Sequence, residues 1–430
     1  MIDIKLIREN VDLIKDNIKK KYQNDKLNLV DELKKKDEEW RSVKYEVDNL
    51  RADRNKISKE INEAKKDKNE KLAKELIRKA KEIPEKIEMA ERKMDELSFG
   101  VKNLQAEIPN IISKNVPLGK SDKENVVAKI IGKPKKFNFE IKNHVDIIEN
   151  LKLGDFESSS KVAGTGFYYL EGELALLNQA LLNYAREVMV KKGFKYVETP
   201  LMLKEEIIDK VTDINDKNQQ IYLVEDKPKM ALIGTSEHSL IGRFVDTEID
   251  ENELPIKHTS YSMCFRKEIG SHGIDERGLF RTHQFNKIEM IVICKPEDSE
   301  NFFKEMYNIS VEIFKDLEIP VRILRICSGD LGNLKYEQVD IEAYSPRKRD
   351  YFEVGSCSNL TYAQAMKLGI STRIKGERII PHTLNNTALA SSRALVAILE
   401  NHQRKDGSIK IPKVLWKYTK FKEIKNRKRV

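Results

Sequence analysis

Residues 264–290 read CFRKEIGSHGIDERGLFRTHQFNKIEM, two strand-like runs around a loop that holds Gly270, Gly273 and Gly278. The pattern predicts a β-hairpin with a functional loop. Side chains of a strand alternate between faces, so Arg266 and Glu268 are expected on one side, joined there by Arg281, Phe285 and Glu289 of the returning strand. Guanidinium groups grip phosphate oxygens with paired donors, a phenyl ring stacks on a nucleobase, and a carboxylate suits an ammonium or a metal-bound ligand. The hairpin therefore has the makings of a nucleoside triphosphate site. Taken alone, it fits a surface hairpin with a solvated outer face equally well.

Upstream of the hairpin the chain changes character. Residues 4–21 carry Ile4, Ile7, Val11, Ile14 and Ile18 at helical spacing, which predicts a short helix. After a break at residues 24–28, a long pattern follows through Leu33, Trp40, Val43, Val47, Leu50, Ile57, Ile61 and Ala64, with Arg54 in the one polar slot. A third runs through Leu72, Leu76, Ala80, Ile83, Ile87, Ala90, Met94, Leu97, Val101, Leu104 and Ile108. Both keep a seven-residue repeat with charges between, the pattern of a coiled coil. Residues 67–70 leave room only for a tight reversal, so the two helices are expected antiparallel, in a hairpin of roughly 60 Å. Pro84, inside the second, is expected to bend it or mark an irregularity. Around the tip, residues 65–81 hold eight basic and three acidic side chains. A basic end on an exposed arm suits a nucleic-acid backbone; the other reading is the ordinary solvated charge of a coiled coil.

At 430 residues the chain has room for two or more domains with their own cores. No apolar run reaches the roughly 18 residues that span a bilayer, and the opening MIDIKLIREN mixes charges too early for a signal peptide, so no membrane partner and a cytoplasmic address are expected. Cys264, Cys294, Cys327 and Cys357 form no C-x-x-C pair and are expected to be reduced and mostly buried. The net charge is +9, and residues 403–430 alone hold eleven Lys or Arg against two acids. Such a tail favours a polyanion by counterion release, or serves solubility.

Residues 109–119, PNIISKNVPLG, carry two prolines and end the helical pattern, which sets a boundary between a domain 1–110 and a domain 111–430. The second alternates strands and helices irregularly, as an α+β domain on an antiparallel β-sheet flanked by helices does. Residues 171–192 form an amphipathic helix, followed by GFKYVETPLM, where Pro200 must sit at an edge or interface because it cannot donate to a ladder. Three further constellations stand out. In LIGTSEHSL, Thr235 and Glu237 are read as sharing a strand face. In DYFEVGSCSN, Glu353 and Gly355 share a face and Ser356 follows, a combination that binds a cation and leaves space for a ligand. In HTLNNTALASSRALVAILENHQ, a short strand turns into a helix with Arg393 in its first turn, adding a guanidinium to the positive end of the helix dipole.

Together these stretches resemble a class II aminoacyl-tRNA synthetase, and within that class the seryl-tRNA synthetase family, over nearly the whole chain. MIDIKLIREN, the long helical hairpin and the IPNIISKNVP connector are similar to the family's N-terminal portion. The segment ending at Pro200 resembles motif 1, FRKE through FNKIE motif 2, and the Arg393 helix motif 3. The TSE, SCSN and LNNT matches carry serine as the substrate. The family's motif 3 is often glycine-rich before its arginine, where this chain has Thr387, Ala388, Ser391 and Ser392; altered packing without lost chemistry is expected. No family motif matches the basic tail. The family also has a zinc-dependent minor form, and the spaced cysteines with the TSE triplet favour the ordinary, metal-free amino-acid pocket.

The resemblance implies ATP-dependent activation of L-serine to seryl-adenylate, then transfer to the 3′ end of tRNA(Ser), with tRNA(Sec) as a second candidate. Serine's own carboxylate is the nucleophile, so the protein positions and neutralises charge. By resemblance, Arg266 and Arg393 are the catalytic residues, on the α- and γ-phosphate, and ATP is held by Arg266, Lys267, Glu268, Arg281, Thr282, Phe285, Glu353, Val354, Gly355, Ser356 and Arg393. Glu268 is expected at the adenine amino group and Phe285 with Arg393 on the two faces of the ring. Glu353 and Ser356 are expected to hold Mg²⁺, and Thr235, Ser236, Glu237, Glu289, Asn385 and Thr387 to hold serine. His272, His283 and His382 are candidates for general bases, with positional duties the commoner role. A homodimer is expected through motif 1, and the arm is expected to hold the tRNA. Two rivals stand beside this reading: a paralogue that charges a carrier other than tRNA, expected to lack the arm, and an inactive coiled-coil nucleic-acid-binding protein, expected to lose Arg266, Glu268, Phe285, Glu353 and Arg393.

Overall fold

The computed structural model describes residues 2–212, 214–268 and 278–425, so Gly270, His272 and Gly273 lie outside the described residues. The chain divides into two compact units, Met1–Ile111 and Ile112–Val430.

The first unit is helical: α1 (Ile4–Glu9), α2 (Val11–Lys20), α3 (Leu27–Lys66) and α4 (Glu70–Glu107). The single helix expected over residues 4–21 is two, because the Asn10 side chain accepts the Leu13 N–H and caps a fresh helix instead of extending the first. Asn69 caps α4 in the same way through Leu72. The heptads do what their spacing predicts: Val43 and Val47 of α3 and Ile83, Ile87 and Ala90 of α4 are buried. The pairing is antiparallel, since Ala64 packs with Ala73 and Leu76 beside the reversal while Leu33 packs with Val101 and Leu104 at the other end. Forty residues make α3 about 60 Å long at the α-helical rise. Pro84 lies within α4 without interrupting it.

The second unit is built on an eight-stranded sheet, in the order Val126–Ile131, Val321–Arg325, Glu337–Ser345, Asp350–Thr361, His382–Ala390, Gln284–Cys294, Ile256–Phe265, Lys195–Tyr196. All neighbours pair antiparallel except the last two strands, which are parallel. Strand alternation divides the sheet into two faces. Along Gln284–Cys294, Ile288, Met290, Val292 and Cys294 enter the main core with the helices Gly172–Lys191, Ser299–Asp316 and Ser391–Asn401. The alternate residues Phe285, Lys287 and Glu289 turn to the other face and line a cleft. Pro200 lies between two short strands, and its carbonyl accepts the Ser239 hydroxyl.

The basic tail is part of this unit through Lys425. Leu415 is buried, and Trp416, Tyr418 and Phe421 pack on the main core. Arg404 pairs with Glu423 at 2.7 Å, Lys410 with Glu318 at 3.0 Å and Lys417 with Glu187 at 2.8 Å. These three of its eleven cations are thus paired with acids of this unit; residues 426–430 lie outside the described residues. All four cysteines are free and buried, as expected. Among the described residues no helix is long and apolar enough to cross a membrane.

Candidate active site

The hairpin of residues 264–290 is formed, but the catalytic side chains expected on its strands lie just beyond them. The strands are Ile256–Phe265 and Gln284–Cys294, so Arg266, Glu268 and Arg281 belong to the loop bases and strand alternation does not orient them. Glu268 has a left-handed backbone (φ 47°), which turns the chain out of the strand. Tertiary bonds fix these residues instead. Arg266 donates from Nε to the Gly234 carbonyl at 3.1 Å and lies 5.3 Å over the Phe285 ring. Arg281 faces Glu268 at 3.7 Å.

A second correction concerns Thr235. It is not on a strand face with Glu237 but is the N-cap of the helix Ser236–Gly242, where its Oγ1 accepts the Glu237 N–H at 3.3 Å. The cap delivers Glu237 into the cleft. There one oxygen of Glu237 accepts from Gln364 Nε2 and from Asn385 Nδ2, both at 2.8 Å. Asn385 thus anchors a carboxylate rather than standing clear for a ligand hydroxyl. Ser236 is fully buried and does not line the cleft, and neither does Lys267, whose N–H is bonded to the Gln220 carbonyl.

The cleft has a volume of about 390 Å³. It brings together Thr235, Glu237, Arg266, Glu268, Arg281, Thr282, Phe285, Glu289, Glu353, Val354, Gly355, Ser356, Asn385, Thr387 and Arg393 from five separate stretches of chain. Gly355 is required by close approach, because a Cβ there would meet the Thr387 carbonyl at 3.1 Å. The stretch where relatives of motif 3 carry glycines continues as strand to Ala390, and Ala388, Ser391 and Ser392 are buried at its junction with the Arg393 helix.

Charge in the cleft is arranged in two groups. At one end, Glu289 is held by Lys287 at 2.6 Å and by the Thr387 hydroxyl at 3.1 Å, all three largely out of solvent. Burial, and then the charge of Glu289, push Glu237 up to about 7. Beside them, burial and the charges of Arg266 and Lys287 hold His238 down to about 3, so it is neutral at physiological pH. At the other end, Arg393 donates to both the carbonyl and the carboxylate of Glu353, at 2.8 and 3.0 Å, and lies 5.4 Å over the ring of Phe280. The aromatic ring beneath Arg393 is therefore Phe280, while Phe285 faces Arg266. Burial works against the Glu353 charge, yet the Arg393 guanidinium more than offsets it and holds the carboxyl below its usual range. Asp340 moves the opposite way, up to about 7, through burial and the neighbouring Glu353.

Four participants escaped the sequence reading. Lys287 lies two residues from both Phe285 and Glu289, so the strand period that grouped those two also selects it. Asp340 and Gln364 had no such signal, since they reach the site from elsewhere in the chain, and Phe280, although next to Arg281, precedes the strand Gln284–Cys294 and falls outside its alternation. The histidines fare differently: His382 faces Ser299 Oγ at 3.0 Å, is held down to about 4 by burial and does not line the cleft. His283 is bonded to the Arg266 carbonyl. Neither is disposed as a general base.

The donor set beside Glu353 is all oxygen. Ser356 stands opposite Asp340 across paired strands, and Asp340 accepts from Gln338 Nε2 at 2.7 Å. No group of three or more His, Cys, Asp or Glu able to hold a metal occurs among the described residues. Oxygen donors of this kind suit a hard cation that takes one or two carboxylates and completes its shell with other oxygen ligands.

Comparison with known proteins agrees with this geometry over the whole chain. Residues 1–112 match the seryl-tRNA synthetase N-terminal domain, and residues 222–402 the class II tRNA synthetase core domain of the G, H, P, S and T enzymes. A serine–tRNA ligase of Methanospirillum hungatei is 42% identical over 99% of this chain and 100% of its own length. One of Dictyoglomus turgidum is 44% identical over the full length of both. The crystal structure of seryl-tRNA synthetase from Pyrococcus horikoshii complexed with ATP superposes with a TM-score of 0.92, at 40% identity and 99% coverage of each chain. A prolyl-tRNA synthetase of Giardia lamblia, at 18% identity, a TM-score of 0.57 and coverage of 64% of this chain and 57% of its own, shares the fold of the core. With its helical arm, its core sheet and its cleft of arginines and carboxylates, the chain belongs to the seryl-tRNA synthetase family of class II aminoacyl-tRNA synthetases.

Proposed function

We propose that the chain activates L-serine with ATP and transfers it to the 3′ end of tRNA(Ser), in the cytoplasm. The observation that carries this reading is the cleft itself, where the carboxylates of Glu237 and of the buried Glu289 share one lining with the guanidiniums of Arg266 and Arg393. An amino acid has an ammonium for the first pair and a carboxylate that must approach a phosphate held by the second.

In this reading the ammonium of serine lies against Glu237 and Glu289, with Thr235 beside it, and Thr387 borders its hydroxyl. The carboxylate of serine attacks the α-phosphate, the bond to pyrophosphate breaks, and the electron pair leaves with pyrophosphate. Arg266 stabilises charge on the α-phosphate, Lys287 adds a second cation there, and Arg393 holds the γ-phosphate. This is catalysis by positioning and by preorganised charge. Phe285 supplies a stacking face for adenine, with Arg393 on its other side, and Glu268 lies toward the adenine amino group. Glu353 and Ser356, backed by Asp340, would hold Mg²⁺, whose chemistry there is to neutralise phosphate charge.

A homodimer is part of the proposal. Leu176 and Val190 on the helix Gly172–Lys191, with Leu201 and Met202 after Pro200, are exposed apolar residues along the segment that resembles motif 1, and a two-fold contact would cover them. The arm serves as the grip on tRNA, with the basic residues of its tip toward the phosphates. ATP/pyrophosphate exchange across the twenty amino acids tests the reading. Exchange with serine alone, dependent on Mg²⁺, is expected; exchange with another amino acid and none with serine would overturn it.

A further inference from the structure

We infer that His283 is a positioning residue for Arg266, its imidazole holding the peptide from which that guanidinium reaches the Gly234 carbonyl. The inference rests on the reading that Arg266 binds the reacting phosphate. Arg266 lies one residue beyond the end of its strand, so its peptide needs another anchor. His283 provides two. Its backbone carbonyl accepts the Arg266 N–H at 2.9 Å, and its ring Nδ1 lies 2.9 Å from the Arg266 carbonyl. A carbonyl only accepts, so Nδ1 carries the hydrogen, and the Tyr222 oxygen, 3.1 Å from the same nitrogen, is a second acceptor for it. Both peptide groups of Arg266 are therefore bonded to a single residue.

The imidazole is itself fixed from the other side. The His283 N–H donates to the Gly166 carbonyl at 2.9 Å, and Phe167 packs on the ring with centroids 5.4 Å apart. A Cβ on Gly166 would come within 2.5 Å of His283 Cδ2, so glycine at this positive-φ position is what admits the ring. Residues 220–222 are drawn into the same cluster, through Tyr222 and through the Gln220 carbonyl, which accepts the Lys267 N–H at 2.8 Å. One imidazole thus links the turn at residues 166–167, Tyr222 and the first residues of the loop that carries Arg266 and Glu268. Among the described residues, none of the side chains proposed for serine (Thr235, Glu237, Glu289, Thr387) bonds to this cluster, so displacing it would weaken transition-state stabilisation while leaving serine affinity alone.

Serine-dependent ATP/pyrophosphate exchange by the full-length wild type, His283→Leu and His283→Asn tests this. Asparagine carries its amide nitrogen one bond from Cγ, as Nδ1 is, and so keeps the donor to the Arg266 carbonyl. His283→Leu is expected to lower kcat by about 100-fold, the effect of a displacement on the order of 1 Å, with serine KM within about threefold of wild type. His283→Asn is expected to recover kcat to within about fivefold. If thermal unfolding shows His283→Leu unfolded, Gly166→Ala, which displaces the ring without removing it, is expected to show the same loss in kcat alone. Wild-type kcat in folded His283→Leu, an equal loss in equally folded His283→Asn, or a parallel rise in serine KM would each overturn the positioning role. A wild type inactive with serine would instead overturn the proposed reaction, and this inference with it.

Discussion

The arm and the cleft are both rich in charge, and they use it in opposite ways. Within α4 the ion pairs lie in solvent: Arg92 with Glu88, Lys79 with Glu75 and Lys86 with Glu82 join residues four apart, with both partners well exposed. Such pairs trade one set of favourable water interactions for another and contribute little. In the cleft, Lys287 and Glu289 are buried against each other and the half-buried Glu237 is held by specific donors, so losing Lys287 or Glu289 leaves the other buried and unpaired. On the proposed function, the arm offers charge as a field for a polyanion, and the cleft stores it as preorganisation for reacting groups.

The sharpest way to break this contrast is Arg266→Ala. Loss of one preorganised cation at a developing charge is expected to cost about 3 kcal/mol or more, on the order of 100- to 1,000-fold in serine-dependent exchange. Substantial exchange in that variant would remove the cleft from the chemistry. The converse operation is on the arm. Deleting residues 56–78 and closing the helices with a short turn is expected to leave exchange almost intact. Aminoacylation of tRNA should fall steeply, and its salt slope should drop by about one unit for every phosphate that the shortened arm no longer neutralises. A truncated protein that charges tRNA as well as the intact one would transfer the grip elsewhere in the molecule.

A third test separates buried from exposed charge by pH. Glu237 is raised from 4.5 to about 7 in the folded protein. Between those values the native state keeps a proton that the unfolded chain has released, so stability falls as pH rises through the window. Binding of an ammonium demands the charged form, so the KM for serine is expected to climb as pH drops below about 7, approaching tenfold per unit. In Glu237→Gln both pH slopes from this residue should vanish, with a serine KM raised throughout. A KM profile with the same slope in wild type and variant would assign the titration to another group. The smallest effects lie on the arm surface. Arg92→Ala is expected to change thermal stability by under about 1 kcal/mol, whereas Leu33→Ala, in the apolar seam, is expected to cost about 2–5 kcal/mol. Similar shifts for the two in thermal or denaturant unfolding would contradict the division between seam and surface.

The arm was legible because its information is local. A residue at a heptad position meets the partner helix wherever that helix lies, so Val47, Ile83 and Ile87 announced their burial in the pattern itself. Strand alternation worked for Phe285 and Glu289, which lie within Gln284–Cys294, and failed for Arg266 and Glu268, where the strand had already ended. Thr235 misled for a related reason: a hydroxyl two residues before a carboxylate fits a strand face and a helix N-cap alike, and only the chain direction after Glu237 separates the two.

The sequence by itself thus determined the class of fold, the arm, the family and a part of the residues that gather in the cleft, because periodicity and motif order reside in neighbouring residues. What each charge does was decided by tertiary structure alone. Glu237 is a raised carboxyl because the fold takes it out of water and sets Glu289 nearby, against the opposing hydrogen bond of Gln364, far along the chain. Arg393 rests on Phe280, and the basic tail is tied into the core by Glu187 and Glu318. Burial and the distance to a partner set the energy of a charge, and both are properties of contacts between residues distant in sequence.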